Sequence, residues 1–328
     1  MKILVTGGAG FIGSNLVDAL VAQTRDDIVV LDDLSTGTRA NLSRHEGSGR
    51  VEVVEGDIRD EARIGEVMRK VDLVYHLAVQ CIRVSILDQH LVHSVNATGT
   101  LNLLIAAREA GVSKFVYCSS SEVYGTASRV PMDEEHPLVP TTPYGASKLA
   151  GEAYARSFHL TYGLPVALVR PFNTYGAREH FEGAYGEVIP KFAVRALNGA
   201  PLVVFGDGEQ TRDFTEVQDT VRGLMLAAAS EAAVGEVVNI ARGEEVSINE
   251  IARLVLAAVG VEGTIEHAEA RPGDVRRHFA DTRRARELLG FEARTGIRDG
   301  IRLYVEWLRA SGDDVREMLS REVLFNWT

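Results

Sequence analysis

Along the first half of the chain, short apolar runs alternate with longer stretches whose apolar residues recur every three to four positions. The runs Lys2–Thr6, Ile28–Asp32, Val51–Glu55, Leu73–His76, Lys114–Ser119 and Pro165–Arg170 read as strands. They are near-continuously apolar, as strands covered on both faces must be. Between them, Ile12–Gln23, Arg63–Lys70, Asn96–Ala110 and Tyr144–Tyr162 carry helical periodicity. Six strands joined by helices predict a doubly wound parallel sheet. Beyond Pro171 the alternation loosens into Gly- and Pro-punctuated segments, NTYGAREHFEGAYGEVIP, NGAPLVVFGDGEQTRDF and EARPGDVRRHF. Helical periods return at Val217–Ala229, Ile248–Val259 and Arg298–Ala310. The expected architecture is α/β. Residues 1–170 form a Rossmann domain, and 171–328 form mainly a smaller α/β substrate-binding domain with some segments returning to the first.

Composition narrows the function classes. A chain of 328 residues can bury a large core, and 45% hydrophobic with 25% charged residues is ordinary for a globular enzyme. A net charge of -11 argues against nucleic acid and anionic membrane as partners. Cys81 and Cys118 lie in apolar contexts without metal-ligand spacing, so reduced thiols and no metal are expected. No apolar stretch approaches the roughly 20 residues of a membrane span. The start, MKILVTGG, runs straight into a strand, and a cytoplasmic location is expected.

The stretch TGGAGFIG places Gly7, Gly10 and Gly13 between the first strand and the first helix. Gly7 permits a tight turn, Gly10 lets the backbone approach a pyrophosphate, and Gly13 lets helix and strand pack closely. Phosphates would sit on the helix N-terminus beside Phe11 and Ile12. Asp32 ends the second strand about 20 residues further on, as a ribose-binding acid should, with Asp33 next to it. A carboxylate there favours NAD over NADP; the alternative is that Asp32 or Asp33 caps a turn. Asp57 and Ile58 close the third strand, either beside an adenine ring or as a plain strand-end turn. Leu77 and Ala78 follow the fourth strand, and Asn96 opens a helix at the same carboxyl edge.

CSSSEVYG, residues 118–125, ends a buried strand with three hydroxyls and a carboxylate that cost desolvation unless used. In TPYGASKLAGE, Tyr144 and Lys148 lie at i and i+4 on one helix face. A nearby ammonium and an oxidised nicotinamide favour the phenolate, so Tyr144 is expected to have a lowered pKa and to act as a general base.

TGGAGFIG, Asp32, CSSSEVYG, PYGASK and RPFNTYG together resemble the extended short-chain dehydrogenase/reductase superfamily, and within it the NAD-dependent nucleotide-sugar epimerase/dehydratase family. The resemblance spans nearly the whole chain. It implies tightly held NAD, a C-terminal nucleotide-sugar domain, and a homodimer built on helices near Asn96–Ala110 and Tyr144–Tyr162. By position, Ser120, Tyr144 and Lys148 match the family's catalytic Ser/Thr, Tyr and Lys, and Pro171 falls beside the cofactor. Ser119 and Ser121 can also be strand-end caps. On the substrate side, Asn173 resembles the asparagine that meets the phosphates, Arg212 and Arg271 the arginines that clamp the diphosphate, and Asp274 the acid that holds ribose. Val188, Ile189, Val204 and Phe205 would line the base pocket, and Arg178 would reach a sugar substituent. For each arginine a surface charge is the alternative.

Every family member begins by oxidising C4. A 4-epimerase then only returns the hydride to the other face, whereas a 4,6-dehydratase needs an acid–base pair after the Ser/Thr. Here Ser121 and Glu122 stand at those positions, so the acid is missing and a base is present. LDDLSTG, AYGEVIP and ARPGDVRR resemble UDP-hexose 4-epimerases, while LAVQCIRVS departs from their usual loop. The expected activity is 4-epimerisation of a UDP-hexose, UDP-N-acetylhexosamine or UDP-hexuronate. A dehydratase or UDP-glucuronate decarboxylase using Glu122 is the alternative, and a non-catalytic NAD-binding protein stands behind both. The alternative for Glu122 is a carboxylate that orders its loop by accepting backbone hydrogen bonds.

Overall fold

The computed structural model describes residues 1–270 and 275–325. Strands β1 (Lys2–Thr6), β2 (Asp27–Asp32), β3 (Val51–Glu55), β4 (Leu73–His76), β5 (Lys114–Cys118) and β6 (Val166–Pro171) follow the apolar runs to within a residue or so. They alternate with α1 (Phe11–Gln23), α2 (Glu61–Val67), α3 (Ile82–Leu87), α4 (Gln89–His93), α5 (Thr100–Ala110) and α6 (Pro143–Tyr162). The helix expected from Asn96 begins instead as a π-helical turn, Ser94–Gly99, which runs into α5. Its sequence SVNATG is poor in strong helix formers, so the wider turn is no surprise.

The second half adds α7 (Val188–Leu197), β7 (Leu202–Phe205), α8 (Val217–Ala229), β8 (Val237–Ile240), α9 (Ile248–Val259), β9 (Ile265–Ala268), α10 (Arg283–Leu289) and α11 (Ile297–Ala310). The central sheet has seven strands, not six, in the order β8-β6-β5-β4-β1-β2-β3, all parallel. The seventh, β8, comes from the second half and pairs Val237–Ile240 with Leu168–Pro171. Its run VVNI is short and interrupted by Asn239, which is fully buried. A four-residue run containing an amide gives too little periodicity to read as a core strand.

One face of the sheet packs on α1, α8 and α10 through Leu16, Leu20, Val221, Leu224 and Leu289, so C-terminal helices help cover the first domain. The other face packs on α2, α5 and α6 through Ile64, Leu103, Leu104 and Phe158. A second core joins α7, β7, α9 and α11 around Phe192, Leu202, Ile251 and Tyr304. The strand order reverses between β1 and β4. In open α/β sheets the crevice outside the strand ends at such a switch point is the ligand position. Among the described residues, no helix is long and apolar enough to cross a membrane.

Candidate functional site

A cavity of about 800 Å³ opens at that crevice, between the carboxyl ends of the strands and the second lobe. Its floor at the N-terminal side is the glycine turn. Gly7 has φ +68°, and a Cβ there would lie 2.7 Å from the Ala78 nitrogen. A Cβ at Gly13 would lie 2.1 Å from the Gly7 carbonyl oxygen, whereas one at Gly10 would approach that atom only to 3.4 Å. Gly10 is the N-cap of α1, with no side-chain cap and no acidic residue in the first turn. The first amides of the helix, at Phe11, Ile12 and Gly13, therefore face the cavity without a competing anion. This arrangement fits a dinucleotide pyrophosphate.

Asp32 caps its turn and stands at the cavity wall. Its Oδ2 accepts the Ala9 N–H at 2.8 Å and its Oδ1 the Leu34 N–H at 2.9 Å, while the residue lines the cavity. Burial pushes its carboxyl above the ordinary range. Asp33 caps Ser35 through both backbone N–H and hydroxyl and also faces the cavity. Asp57, held below the usual carboxylate range by Arg59, lies there with Ile58, Leu77, Ala78 and Pro171. Asn96 does not line it. The Asn96 amide accepts the Gln80 N–H at 2.8 Å and donates to the Gln80 carbonyl and the Ser147 hydroxyl, so it braces the loop after β4 instead.

Ser120, Ser121, Glu122, Tyr144, Lys148 and Asn173 come together on the cavity wall. The helix that presents the tyrosine starts sharply. Thr142 caps it by accepting the Gly145 N–H at 3.1 Å, and Pro143 occupies its first turn. Two glycines let α6 sit tightly under the site: a Cβ at Gly145 would strike the Glu122 carbonyl, and one at Gly151 the Tyr117 hydroxyl. The Ser120 hydroxyl lies near enough to the Tyr144 phenol to favour its ionised form. Ser120 Oγ also accepts the Glu122 N–H at 3.2 Å. The Lys148 ammonium donates to the Cys118 carbonyl at 2.6 Å and lies over the Tyr117 ring.

The protein alone does not supply the lowered pKa expected for Tyr144 beside Lys148 and an oxidised nicotinamide. Burial pushes the phenol up, and the Ser120 hydroxyl is what opposes it. Lys148 is itself buried and falls to about 8. Its nitrogen is turned to the strand end rather than to the phenol.

On the second lobe, Val188, Phe205 and Arg212 line the cavity. Arg212 also donates from Nη1 to the carbonyls of Thr211 and Val275. Ile189 and Val204 do not line it: both are fully buried in the second core, one residue out of phase with the walls formed by Val188, Val203 and Phe205. Arg178 is not in the cavity either; its φ is +70°, and it pairs with Asp18 of α1 and donates to the Asn41 carbonyl. Arg271 and Asp274 lie outside the described residues.

Several cavity residues carried no sequence signal strong enough to single them out. Arg83 engages Glu187 with both guanidinium arms, at 2.7 and 2.9 Å, bridging α3 to the start of α7. The unusual loop LAVQCIRVS was the hint for Arg83. Glu179 is buried, accepts the Gly176 N–H and is raised well above the ordinary carboxyl range by burial. Arg195 and Glu322 form a further pair at the rim, with partners 127 residues apart in sequence. Among the described residues no group of three or more His, Cys, Asp or Glu side chains is placed to hold a metal ion.

Comparison with known proteins places this geometry. The family model described as GDP-mannose 4,6 dehydratase matches residues 4–304. A UDP-glucose 4-epimerase of Mycolicibacterium smegmatis is 39% identical over 94% of this chain and 99% of its own. A dTDP-glucose 4,6-dehydratase from Streptomyces venezuelae, solved with NAD bound, superposes with a TM-score of 0.89 at 34% identity, covering 94% of this chain and 97% of that one. A UDP-glucose 4-epimerase from Thermotoga maritima, solved with UDP-glucose, gives a TM-score of 0.90 at 34% identity, covering 95% and 100%. Epimerases and dehydratases match equally well, and the family they share is NAD-dependent. The chain belongs to the extended short-chain dehydrogenase/reductase family of nucleotide-sugar epimerases and dehydratases.

Proposed function

We propose that the protein holds NAD in this cavity and epimerises a UDP-sugar at C4 through a 4-keto intermediate. The observation that carries the reading is the convergence of the Tyr144 and Ser120 hydroxyls on the cavity wall, with the Lys148 ammonium one helical turn away. When bound, NAD supplies the hydride acceptor and, on reversal, the donor. The α1 amides and the glycine turn hold the pyrophosphate, and the Asp32 carboxylate favours a ribose hydroxyl over a 2′-phosphate. The Tyr144 phenolate takes the proton from the sugar O4–H as the carbinol becomes a ketone, and the Ser120 hydroxyl orients O4. In the return step Tyr144 gives the proton back to O4. Asn173 and Arg212 face the diphosphate, a group that suits a guanidinium fork.

Epimerisation is favoured over elimination because a hydroxyl, Ser121, stands where a dehydratase would need its acid. The presence of Glu122 on the cavity wall supports dehydratase or decarboxylase chemistry as the second reading. Among UDP-sugars, the neutral ones are favoured: the Arg83 fork is committed to Glu187, and Glu122 adds a carboxyl group to the wall. A substrate carboxylate would have to displace Glu187. Incubation with UDP-glucose, UDP-N-acetylglucosamine and UDP-glucuronate, read by mass spectrometry and NMR, tests both points. The expected result is a new isomer of unchanged mass from a neutral substrate, with UDP-glucuronate turned over at least about tenfold more slowly. Loss of water or of carbon dioxide would establish the second reading, and retained NAD without any turnover would leave a non-catalytic binding protein.

We further propose a homodimer through α5 and α6, whose outer faces expose Ile105, Tyr154, Leu160 and Tyr162. Four large apolar side chains on adjacent helices suit a two-fold helix–helix contact. Light scattering is expected to give twice the chain mass, and Tyr154→Glu with Leu160→Glu to give a monomer. A monomeric wild type rules the contact out.

A further inference from the structure

Behind the cavity lies an ion pair that the proposed chemistry does not use. Arg170 of β6 and Glu152 of α6 are 1% and 2% exposed, joined through Arg170 Nη2 to Glu152 Oε1 and Arg170 Nε to Glu152 Oε2 at 3.1 Å. Burying such a pair costs several kcal/mol per ion, and apolar replacements of similar volume are often neutral or stabilising. Stability alone therefore does not account for it. Its remaining contacts do. Glu152 Oε2 accepts the Ser119 hydroxyl at 2.7 Å, and Arg170 Nη1 donates to the Tyr124 hydroxyl at 2.8 Å. The Tyr124 hydroxyl in turn donates to Asn239 Oδ1 at 2.7 Å, and the guanidinium lies over the Tyr124 ring. Ser119 and Tyr124 flank the segment that carries Ser120, Ser121 and Glu122. Glu152 is also one helical turn beyond Lys148 and two beyond Tyr144, on the same face of α6.

We propose that the buried Glu152–Arg170 pair is the positioning element of the site: it grips the catalytic segment at both ends, Ser119 and Tyr124, and ties that segment to the helix that carries Tyr144 and Lys148. The inference rests on the proposed function, since it gives Ser120 and Tyr144 their work. A second consequence concerns charge. Lys148 is faced by the Cys118 carbonyl and thiol and the Tyr117 ring of β5, by His76 of β4, and by Glu152 of its own helix. Burial lowers the lysine to about 8, and Glu152 is among the groups that hold it up. The ammonium is present below that pH and lost above it. Removing the Glu152 carboxylate moves the loss to lower pH.

The test compares the wild-type holoenzyme with Ser119→Ala and with the double variant Glu152→Leu/Arg170→Met, which keeps the volume apolar. Ser119→Ala is expected to lower kcat about tenfold, and the double variant about 100-fold, with KM for the UDP-sugar within about twofold. In the double variant the alkaline limb of the kcat profile also moves to lower pH. A merely structural pair would lower thermal stability while leaving kcat and that limb in place, which overturns the proposal. If the double variant does not fold, Ser119→Ala decides: kcat within twofold of wild type, or a matching change in KM alone, overturns it. A wild type that converts no UDP-sugar defeats the functional reading and this inference with it; an active wild type with unaltered variants defeats the positioning role alone.

Discussion

Tyr144→Phe is expected to lower turnover of the UDP-sugar by about a thousandfold while leaving the fold and the affinity for UDP intact. The ring keeps its place, and the substitution removes a single hydroxyl while Ser120 still accepts the Glu122 N–H. The stability change should stay near 1 kcal/mol, the value of one neutral hydrogen bond. Catalysis has no such reserve. Burial already holds the phenol above its ordinary pKa, so the protein maintains a neutral tyrosine in the absence of added positive charge. The phenolate becomes accessible only when cations gather beside it, and the oxidised nicotinamide and Lys148 are the candidates. Without the hydroxyl there is no group on the cavity wall at the same position to take the O4 proton. Calorimetric titration with UDP, beside an NMR assay of the product, separates binding from chemistry. Turnover within about tenfold of wild type would remove Tyr144 from its role and direct attention to Glu122.

The parts of this site that were legible in the sequence are those set by local rules. The glycine turn, its strand and its helix are contiguous, and Gly13 answers to a steric demand within the same dozen residues, the Gly7 carbonyl. Tyr144 and Lys148 share a face because helical spacing alone brings them together. The parts that escaped depend on register or on distant chain. Ile189 and Val204 look equivalent to their neighbours by hydropathy, yet a one-residue shift decides that Val188, Val203 and Phe205 face the cavity while Ile189 and Val204 fill the second core. Arg178 stands two residues beyond the RPFNTYG motif, but Asp18, 160 residues earlier, claims its guanidinium. Asn96 stands at the right edge of the sheet and still turns inward, because the Gln80 backbone needs both a donor and an acceptor there. The seventh strand was hidden for a related reason: Asn239 interrupts its apolar run to serve Tyr124 and the Met132 carbonyl. Buried polar residues that complete long-range networks erase the very periodicity by which elements are recognised.

Gly13→Ala is expected to yield protein without NAD and with reduced thermal stability, whereas Gly10→Ala should lose NAD alone. The distinction follows from what each new methyl group would meet. At residue 13 it would stand 2.1 Å from the Gly7 carbonyl oxygen and 2.8 Å from the Gly7 carbonyl carbon and the Gly8 Cα. All three are backbone atoms of the turn, so no rotamer change relieves the overlap, and helix α1 must back away from β1. Overpacking of this kind costs about 3 kcal/mol, and the displaced helix N-terminus loses its aim at the phosphates as well. At residue 10 the nearest atom is the same carbonyl oxygen at 3.4 Å, ordinary contact, so the apo fold has room for the methyl group. Whatever Gly10 is kept clear for is thus not another part of the chain. The bound pyrophosphate is the group that fits, and an alanine there should weaken NAD binding by about 100-fold, near 2.7 kcal/mol. Chromatography of nucleotide released from the purified variants, with thermal melts of each, reads the two effects separately. If Gly10→Ala retains NAD as the wild type does, the pyrophosphate does not cross the α1 N-terminus, and the cofactor lies elsewhere in the cavity.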